Sequence, residues 1–248
     1  MAIKSARGAL GALVLTALAG CAVEAEPGAL IADPYENVNR AVHSFNVAAD
    51  TVVLRPVAMA YDTVTPTLFQ HMISNFVDHL RLPVVFFNNI FQGDVDEALA
   101  TLGRFGVNTI VGAGGLLDPA TEVGLPYDPT DFGLTLASHD ASEGPFIMLP
   151  LFGPSTGRDA VGRLVDFGLD PLTYIGVGEG AGATAATAAR FATPPVVDRS
   201  ENFEVIDQVL YESEDSYVTL RAAYVQSRRA QAAHGVVDPE NLPDVFAE

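Results

Sequence analysis

The chain has 248 residues, a formal charge of −18 and a single lysine, Lys4, so beyond its first residues every fixed positive charge is an arginine. That excludes a P-loop lysine and Schiff-base chemistry, and a field this negative repels nucleic acid. One cysteine cannot form an internal disulfide, and 49% hydrophobic residues beside so much charge require apolar surface and acidic groups to be segregated in the fold.

Lys4 and Arg7 precede the apolar run Ala9 to Ala19, a positive region followed by a short hydrophobic one, as in an export signal. A bilayer needs ~20 apolar residues, so this run is too short to span one. It closes on Leu18-Ala19-Gly20-Cys21, which looks like a bacterial lipoprotein box. Residues 1–20 are therefore expected to be removed and Cys21 to carry acyl chains, more than one of which gives stable anchoring. An ordinary secretory signal with a chance cysteine is the weaker alternative, because the thiol occurs once and at the attachment position. Without residues 1–20 the chain has 11 arginines against 31 acidic residues, a net of −20.

Residues 21–32 have no periodicity and read as a tether. A helix is expected from Asp33-Pro34 to about Val53, with Asp33 as N-cap, Glu36 completing a capping box and Arg55-Pro56 ending it. Thr65-Pro66 opens the next helix, whose residues Leu68, Phe69, Met72, Ile73, Phe76, Val77 and Leu80 form a broad apolar stripe. Pro83 is expected to break it before the apolar Val84 to Phe91. Periodicity alone admits either a buried helical hairpin or one lying in a leaflet. On the stripe, a charge at Phe76 or Phe87 is expected to disturb seating more than one at Asp78 or His79.

Asp94 and Glu97 cap a helix to about Val111, whose small residues Ala98, Ala100, Gly103 and Gly106 permit close packing. Leu116 to Thr156 reads as a Gly/Pro-rich non-helical band with extended pieces at 133–137 and 146–151. Thr156 with Asp159 caps a helix to about Phe167. Residues 176–189 read as a connector or a weak small-residue helix. Asp198 with Glu201 is expected to start one long C-terminal helix, which His234-Gly235 stops. A loose acidic tail, 231–248, follows the 33–230 helical domain.

No catalytic constellation or metal spacing appears among these residues. The five histidines (43, 71, 79, 139, 234) lack ligand spacing, there is no second cysteine, and there is no G-x-S-x-G. Asp94-Val95-Asp96-Glu97 fits helix capping better than calcium. The glycine runs at 112–115 and 176–180 lack the strand and acidic residue of a nucleotide fingerprint. No cofactor is expected.

Several stretches, in order, resemble the MlaA (VacJ) lipoprotein family. They are Asp33-Pro34-Tyr35-Glu36-Asn37-Val38-Asn39-Arg40, Asn89-Ile90-Phe91-Gln92-Gly93, Arg104-Phe105-Gly106-Val107-Asn108-Thr109, Leu149-Pro150-Leu151-Phe152-Gly153-Pro154-Ser155-Thr156 and Tyr217-Val218-Thr219-Leu220-Arg221. The resemblance covers nearly the whole chain after Cys21. It implies a mostly α fold, a ring of amphipathic and interfacial helices around a central channel, with the non-helical band and a long C-terminal helix. It further implies an outer-membrane, periplasm-facing lipoprotein beside a trimeric porin, drawing misplaced phospholipid from the outer leaflet to a soluble periplasmic carrier. Rival classes are a structural lipoprotein that scaffolds porins and a lipid hydrolase. Candidate channel or headgroup contacts are Asn46, Asn75, Arg104 and Asn108, each of which also reads as a capping, interhelical or ion-pairing group.

Two departures stand out. Where relatives carry glycines before the G-P-[YF] element, this chain has His139-Asp140-Ala141-Ser142-Glu143, so Ser138, His139, Asp140, Ser142, Glu143 and Gly144 form a candidate gating loop. With fewer left-handed options it is expected to be stiffer than in relatives, so glycine at 140 and 142 should raise lipid flux and proline lower it. Ser216 replaces the usual proline before Tyr217.

Overall fold

The computed structural model describes residues 30–175 and 181–233. The expectations for Cys21 and most of the tether, for the glycine run at 176–180 and for the stop at His234-Gly235 lie outside the described residues. The described chain is mostly helical with one two-stranded ribbon, and no described helix is long and apolar enough to cross a membrane.

Helix α1 (Glu36–Ala49) runs through a π turn (Asp50–Leu54) into α2 (Arg55–Val64). Both ends differ from the expectation. Tyr35, not Asp33, occupies the N-cap, because the Asp33 carboxylate is spent on Asn39 (2.8 Å), Arg221 (2.6 Å) and Tyr217. At Pro56 the helix widens instead of stopping. The Arg55 N–H reaches back five residues to the Asp50 carbonyl, and this wide turn accommodates the proline that a regular turn would reject.

Helix α3 (Thr67–Gln92) passes through Pro83, so the predicted break is absent. It ends at Gly93, left-handed at φ 80°, a conformation glycine adopts without steric cost. Asp94 then caps α4 (Val95–Ile110), accepting the Glu97 N–H at 3.1 Å as its sequence predicts. The hairpin is therefore α3 against α4, not the two halves around Pro83.

The band expected to be non-helical contains α5 (Pro119–Glu122) and α6 (Phe132–Ser138), so residues 133–137 are helical, not extended. Asp131 caps α6 by accepting the Leu134 N–H at 2.9 Å. Gly133 is there for packing. A Cβ on it would sit 2.5 Å from Asp159 Oδ1, and one on Gly162 would sit 2.4 Å from the Gly133 nitrogen, so α6 lies backbone to backbone on α7 (Gly157–Leu169).

Strand β1 (Phe146–Leu149) pairs antiparallel with β2 (Gly153–Thr156), with Phe146 opposite Thr156 and Leu149 opposite Gly153. The first was expected; the second was not. Thr156 caps α7 as predicted, accepting the Asp159 N–H at 3.1 Å.

After α8 (Leu172–Ile175), the residues from Ala181 belong to α9 (Ala181–Glu201), the helical alternative for that stretch. The expected single C-terminal helix is three pieces: the end of α9, then α10 (Phe203–Asp207) continuing into a second π turn (Gln208–Glu212), then α11 (Ser216–Ala232). Asp198 lies inside α9. The cap of α11 is Asp215, which accepts the N–H groups of Tyr217 and Val218, both at 3.1 Å. Ser216 stands at the first helical position, where a proline would also fit.

One buried apolar cluster is built from Ile31, Phe146, Met148, Tyr217 and Val225, and Val77, Leu82, Val85, Leu134 and Val197 are buried outside it. The remaining contacts run in a circuit. Helix α1 packs on β1, β2 on α7, α7 on α6, α6 on α3, α3 on α9 and α9 on α2, which continues from α1. Helix α11 closes against α6 and β2.

Candidate functional site

The α3–α4 hairpin buries polar residues and exposes large apolar ones to an extent unusual for a water-soluble bundle. On α4, the buried positions are Ala98, Thr101, Arg104 and Asn108, at helical spacing, while Val95, Leu99, Leu102, Phe105 and Ile110 are exposed. On α3, His79, Asn88 and Asn89 are buried together with Val77, Leu82 and Val85, while Leu68, Phe69, Phe76, Phe87, Ile90 and Phe91 are exposed. Contiguous exposed apolar rows of this size mark a membrane or protein contact. His79 thus does not lie on a tolerant polar face. Its ring stacks on Phe105 at 4.8 Å, and the Gly115 backbone sits against it so closely that a Cβ there would meet the ring at 2.3 Å. Burial and nearby Arg104 lower its pKa and favour the neutral imidazole.

Behind this face lies a polar seam centred on Asp118. Arg104 donates to Asp118 (2.6 Å), to Thr121 Oγ1 (2.8 Å) and to the Leu125 carbonyl (2.6 Å). Asn108 donates to Asp118 at 2.9 Å and accepts the Ala120 N–H at 3.1 Å. Burial would push the Asp118 carboxyl up, but hydrogen bonds from Thr121, Asn108 and Arg104 outweigh it and hold the carboxyl below its usual value. Arg104 and Asn108 therefore pin α5 to α4. Asn75 holds the Leu116 carbonyl at 3.3 Å, on the loop that leads to α5. Asn46 lies apart from these three. It donates to the Leu149 carbonyl (2.9 Å) and accepts the Leu151 N–H (2.7 Å), tying α1 to the tip of the ribbon.

A cavity of about 570 Å³ opens where the end of α3, the start of α4, α6 and α11 meet. Asn89, Gln92, Asp94, Glu97, Ser138 and Gln231 line it beside Pro129, Leu134 and Ala230, so its wall is mixed, part acidic and part apolar. Of the sequence-predicted site residues, Ser138 reaches this cavity. The carboxylates that organise the interior (Asp33, Asp118, Asp131 and Asp159) went unrecognised in the sequence as partners. The arginines of the resemblance motifs were the available signal, since a buried guanidinium requires a carboxylate.

The candidate loop is held at both ends. Asp140 and Ala141 close the C-terminus of α6, their N–H groups bonding the carbonyls of Ala137 and Leu136, each at 3.0 Å. This is a Schellman cap with Asp140 left-handed at φ 59°, the position that glycine fills most easily. Asp140 adopts the left-handed geometry expected to be scarce here, since aspartate is among the few residues that tolerate it. Downstream, Glu143 receives two 2.9 Å hydrogen bonds from Arg229, and its carbonyl accepts the Arg158 N–H at 3.0 Å. Ser142 is exposed between these anchors, and Gly144 is left-handed at φ 69° against Gly157. His139 folds back on the Thr135 carbonyl at 2.9 Å. Asp140→Gly is accordingly expected to raise stability by about 0.5–1 kcal/mol, read from thermal melts, because it relieves a side-chain penalty at fixed backbone geometry. An unchanged or lower melting temperature would show that the aspartate is not strained. Proline at 140 is incompatible with this φ and with the N–H donated to Ala137, so its effect would be loss of the cap, not stiffening.

Comparison with known proteins places this geometry. The family model described as MlaA lipoprotein matches residues 31–231. The intermembrane phospholipid transport system lipoprotein MlaA of Escherichia coli is 30% identical over 240 residues, covering 95% of this chain and 92% of that protein. An uncharacterised protein of Rickettsia felis is 33% identical over 211 residues, 85% of this chain and 80% of the other. A solved structure, described as the structural basis for maintenance of bacterial outer membrane lipid asymmetry, superposes with a TM-score of 0.70 at 31% identity, covering 81% of this chain and 99% of that one. With a family match across its described core and relatives matched over most of their length, the chain belongs to the MlaA lipoprotein family.

Proposed function

We propose that this chain is an outer-membrane lipoprotein, anchored by acylated Cys21, that removes misplaced phospholipid from the outer leaflet. The lipid moves through an amphipathic channel inside the circuit of helices and passes to a soluble periplasmic carrier, with a trimeric porin alongside. The observation that carries this reading is the apolar outer face of α3 and α4, with Asn89 turned in to the partly polar cavity at the turn of the hairpin. Such a pair can lie in a leaflet while enclosing a path for a polar headgroup. The cation inventory supports passage over capture. Among the described residues ten arginines have carboxylate partners, and Arg163 holds the carbonyls of Phe152 and Pro154. The cavity itself is lined by the carboxylates Asp94, Glu97 and Asp128 and by no arginine, so a phosphate passing it meets no guanidinium that would trap it.

The test is photocrosslinking in membranes from a reactive side chain at Ser138, in the cavity, with the Cys21→Ser chain run in parallel. Phospholipid adducts from position 138, with loss of outer-membrane fractionation in Cys21→Ser, are expected. Absence of adducts from properly fractionated protein would remove the channel reading, and normal fractionation of Cys21→Ser would move the anchor to the helices.

A further inference from the structure

The fourteen residues from Gly144 to Gly157 contain no charged side chain, in a chain whose formal charge is −18. They form the β1–β2 ribbon, and its tip presents Leu151 and Phe152, each 71% exposed. Leu151 is left-handed at φ 65°, a conformation that disfavours a bulky side chain. The surrounding structure imposes it. Asn46 holds the Leu149 carbonyl and the Leu151 N–H from one side, and Arg163 holds the carbonyls of Phe152 (3.0 Å) and Pro154 (3.2 Å) from the other. Two polar side chains are thus committed to keeping two apolar ones in water's reach, an arrangement a merely soluble turn does not need.

The geometry points to this tip as a second membrane contact, with Leu151 and Phe152 seated in the interfacial region of the leaflet that receives the Cys21 acyl chains. This rests on the anchored reading above. The occupant follows from where the anchor's chain arrives. Ala32 accepts the Phe146 N–H at 2.8 Å, and Ile31 packs with Phe146 and Met148, so the chain from Cys21 enters the fold at the base of the ribbon. Nine residue-to-residue steps lead from Cys21 to Leu30, a span of at most ~30 Å, whereas four residues of β1 carry the tip ~13 Å from that base. The tip therefore lies within reach of the surface that holds the anchor, and its lack of carboxylates removes the repulsion the rest of the chain would feel from anionic lipid.

The protein contains no tryptophan, so Phe152→Trp introduces a single indole at the tip. The full acylated variant is reconstituted into phosphatidylethanolamine–phosphatidylglycerol vesicles with or without chain-brominated lipid. A side chain 5–10 Å below the headgroup boundary meets the bromines, so about twofold quenching is expected. Flotation of the unmutated chain with the same vesicles tests the anchor separately. Protein that floats while its indole stays unquenched overturns the tip proposal and leaves the anchor standing. Quenching already complete in detergent at one brominated lipid per chain also overturns it, since the tip would then face transported lipid. An indole shielded from iodide by added porin, and unquenched by lipid, overturns it in favour of a protein contact.

Discussion

Replacing Arg199 with leucine is expected to lower stability by about 3–5 kcal/mol, the cost of leaving a buried partner charge uncompensated. Arg199 is 2% exposed and bonds Asp50 through Nε (3.0 Å) and Nη2 (3.3 Å), with Asp207 as a second carboxylate partner. Its guanidinium lies 4.5 Å from the Phe203 ring centre, and Tyr211 adds a hydroxyl to Asp50 at 2.7 Å. The two π turns begin or end at these residues: Asp50 opens the first, Asp207 precedes the second and Tyr211 lies within it. The first wide turn aims Asp50 at this guanidinium and the second aims Tyr211 at Asp50, so the cluster joins α9 and α10 to the α1–α2 helix. Thermal melts in nonionic detergent measure the loss. The double variant Arg199→Leu with Asp50→Leu should recover part of it, because no orphan charge remains. A single-variant cost below ~1 kcal/mol would mean that the site admits water and the pair is a surface one.

Acid should unfold the protein chiefly through Asp159. This carboxylate is 3% exposed and receives hydrogen bonds from Arg228 (3.0 Å, twice) and Tyr224 (2.6 Å). Burial pushes its pKa up, yet Arg228 and Tyr224 outweigh burial and hold it below its usual value. Asp118 behaves the same way. A folded pKa below the unfolded one adds stability above the unfolded value, and that stability is lost as pH falls through the folded value. The loss therefore begins as pH falls through the ordinary aspartate value, near 4, and is complete below the lowered folded value. Asp78, Asp166 and Asp198 act oppositely, since burial raises each of them. Their ionisation costs stability at neutral pH, and the cost is relieved as pH falls through their raised values. That relief is opposed by protonation favouring the unfolded state at His43 and His79, whose folded pKa values burial lowers. Melting temperature should thus change little from pH 7 towards 5 and then fall steeply below 4. Asp159→Asn should lower it at pH 7 by an amount comparable to breaking a buried pair, and should flatten the acid limb. A wild-type profile that is flat to pH 3, or an equally steep one in Asp159→Asn, would assign acid sensitivity to other groups.

Local chemistry in the sequence was enough to determine several features. Asp94 and Thr156 cap helices where their spacing says they should, because a cap involves only three neighbouring residues. The apolar stripe on α3 and the absence of a long apolar run are also local facts, and the ordered family motifs identify the fold they belong to. What the sequence could not decide were competitions between local and distant partners. Asp33 has the position of an N-cap, but Asn39, Tyr217 and Arg221 offer more for a buried carboxylate than one backbone N–H does. Gly133 looks like a helix breaker, yet it is the residue that lets α6 lie on α7. Pro56 and Pro83 look like stops, but one is absorbed by a π turn and the other by a helix held along both sides, where tertiary contact exceeds the local penalty. Which face of the α3–α4 hairpin turns inward was likewise undetermined, since periodicity defines two faces without saying which one is exposed. Arg104, Asn108 and Asp118 settle it, because charged and amide groups must be satisfied together inside, and the phenylalanines are left outside.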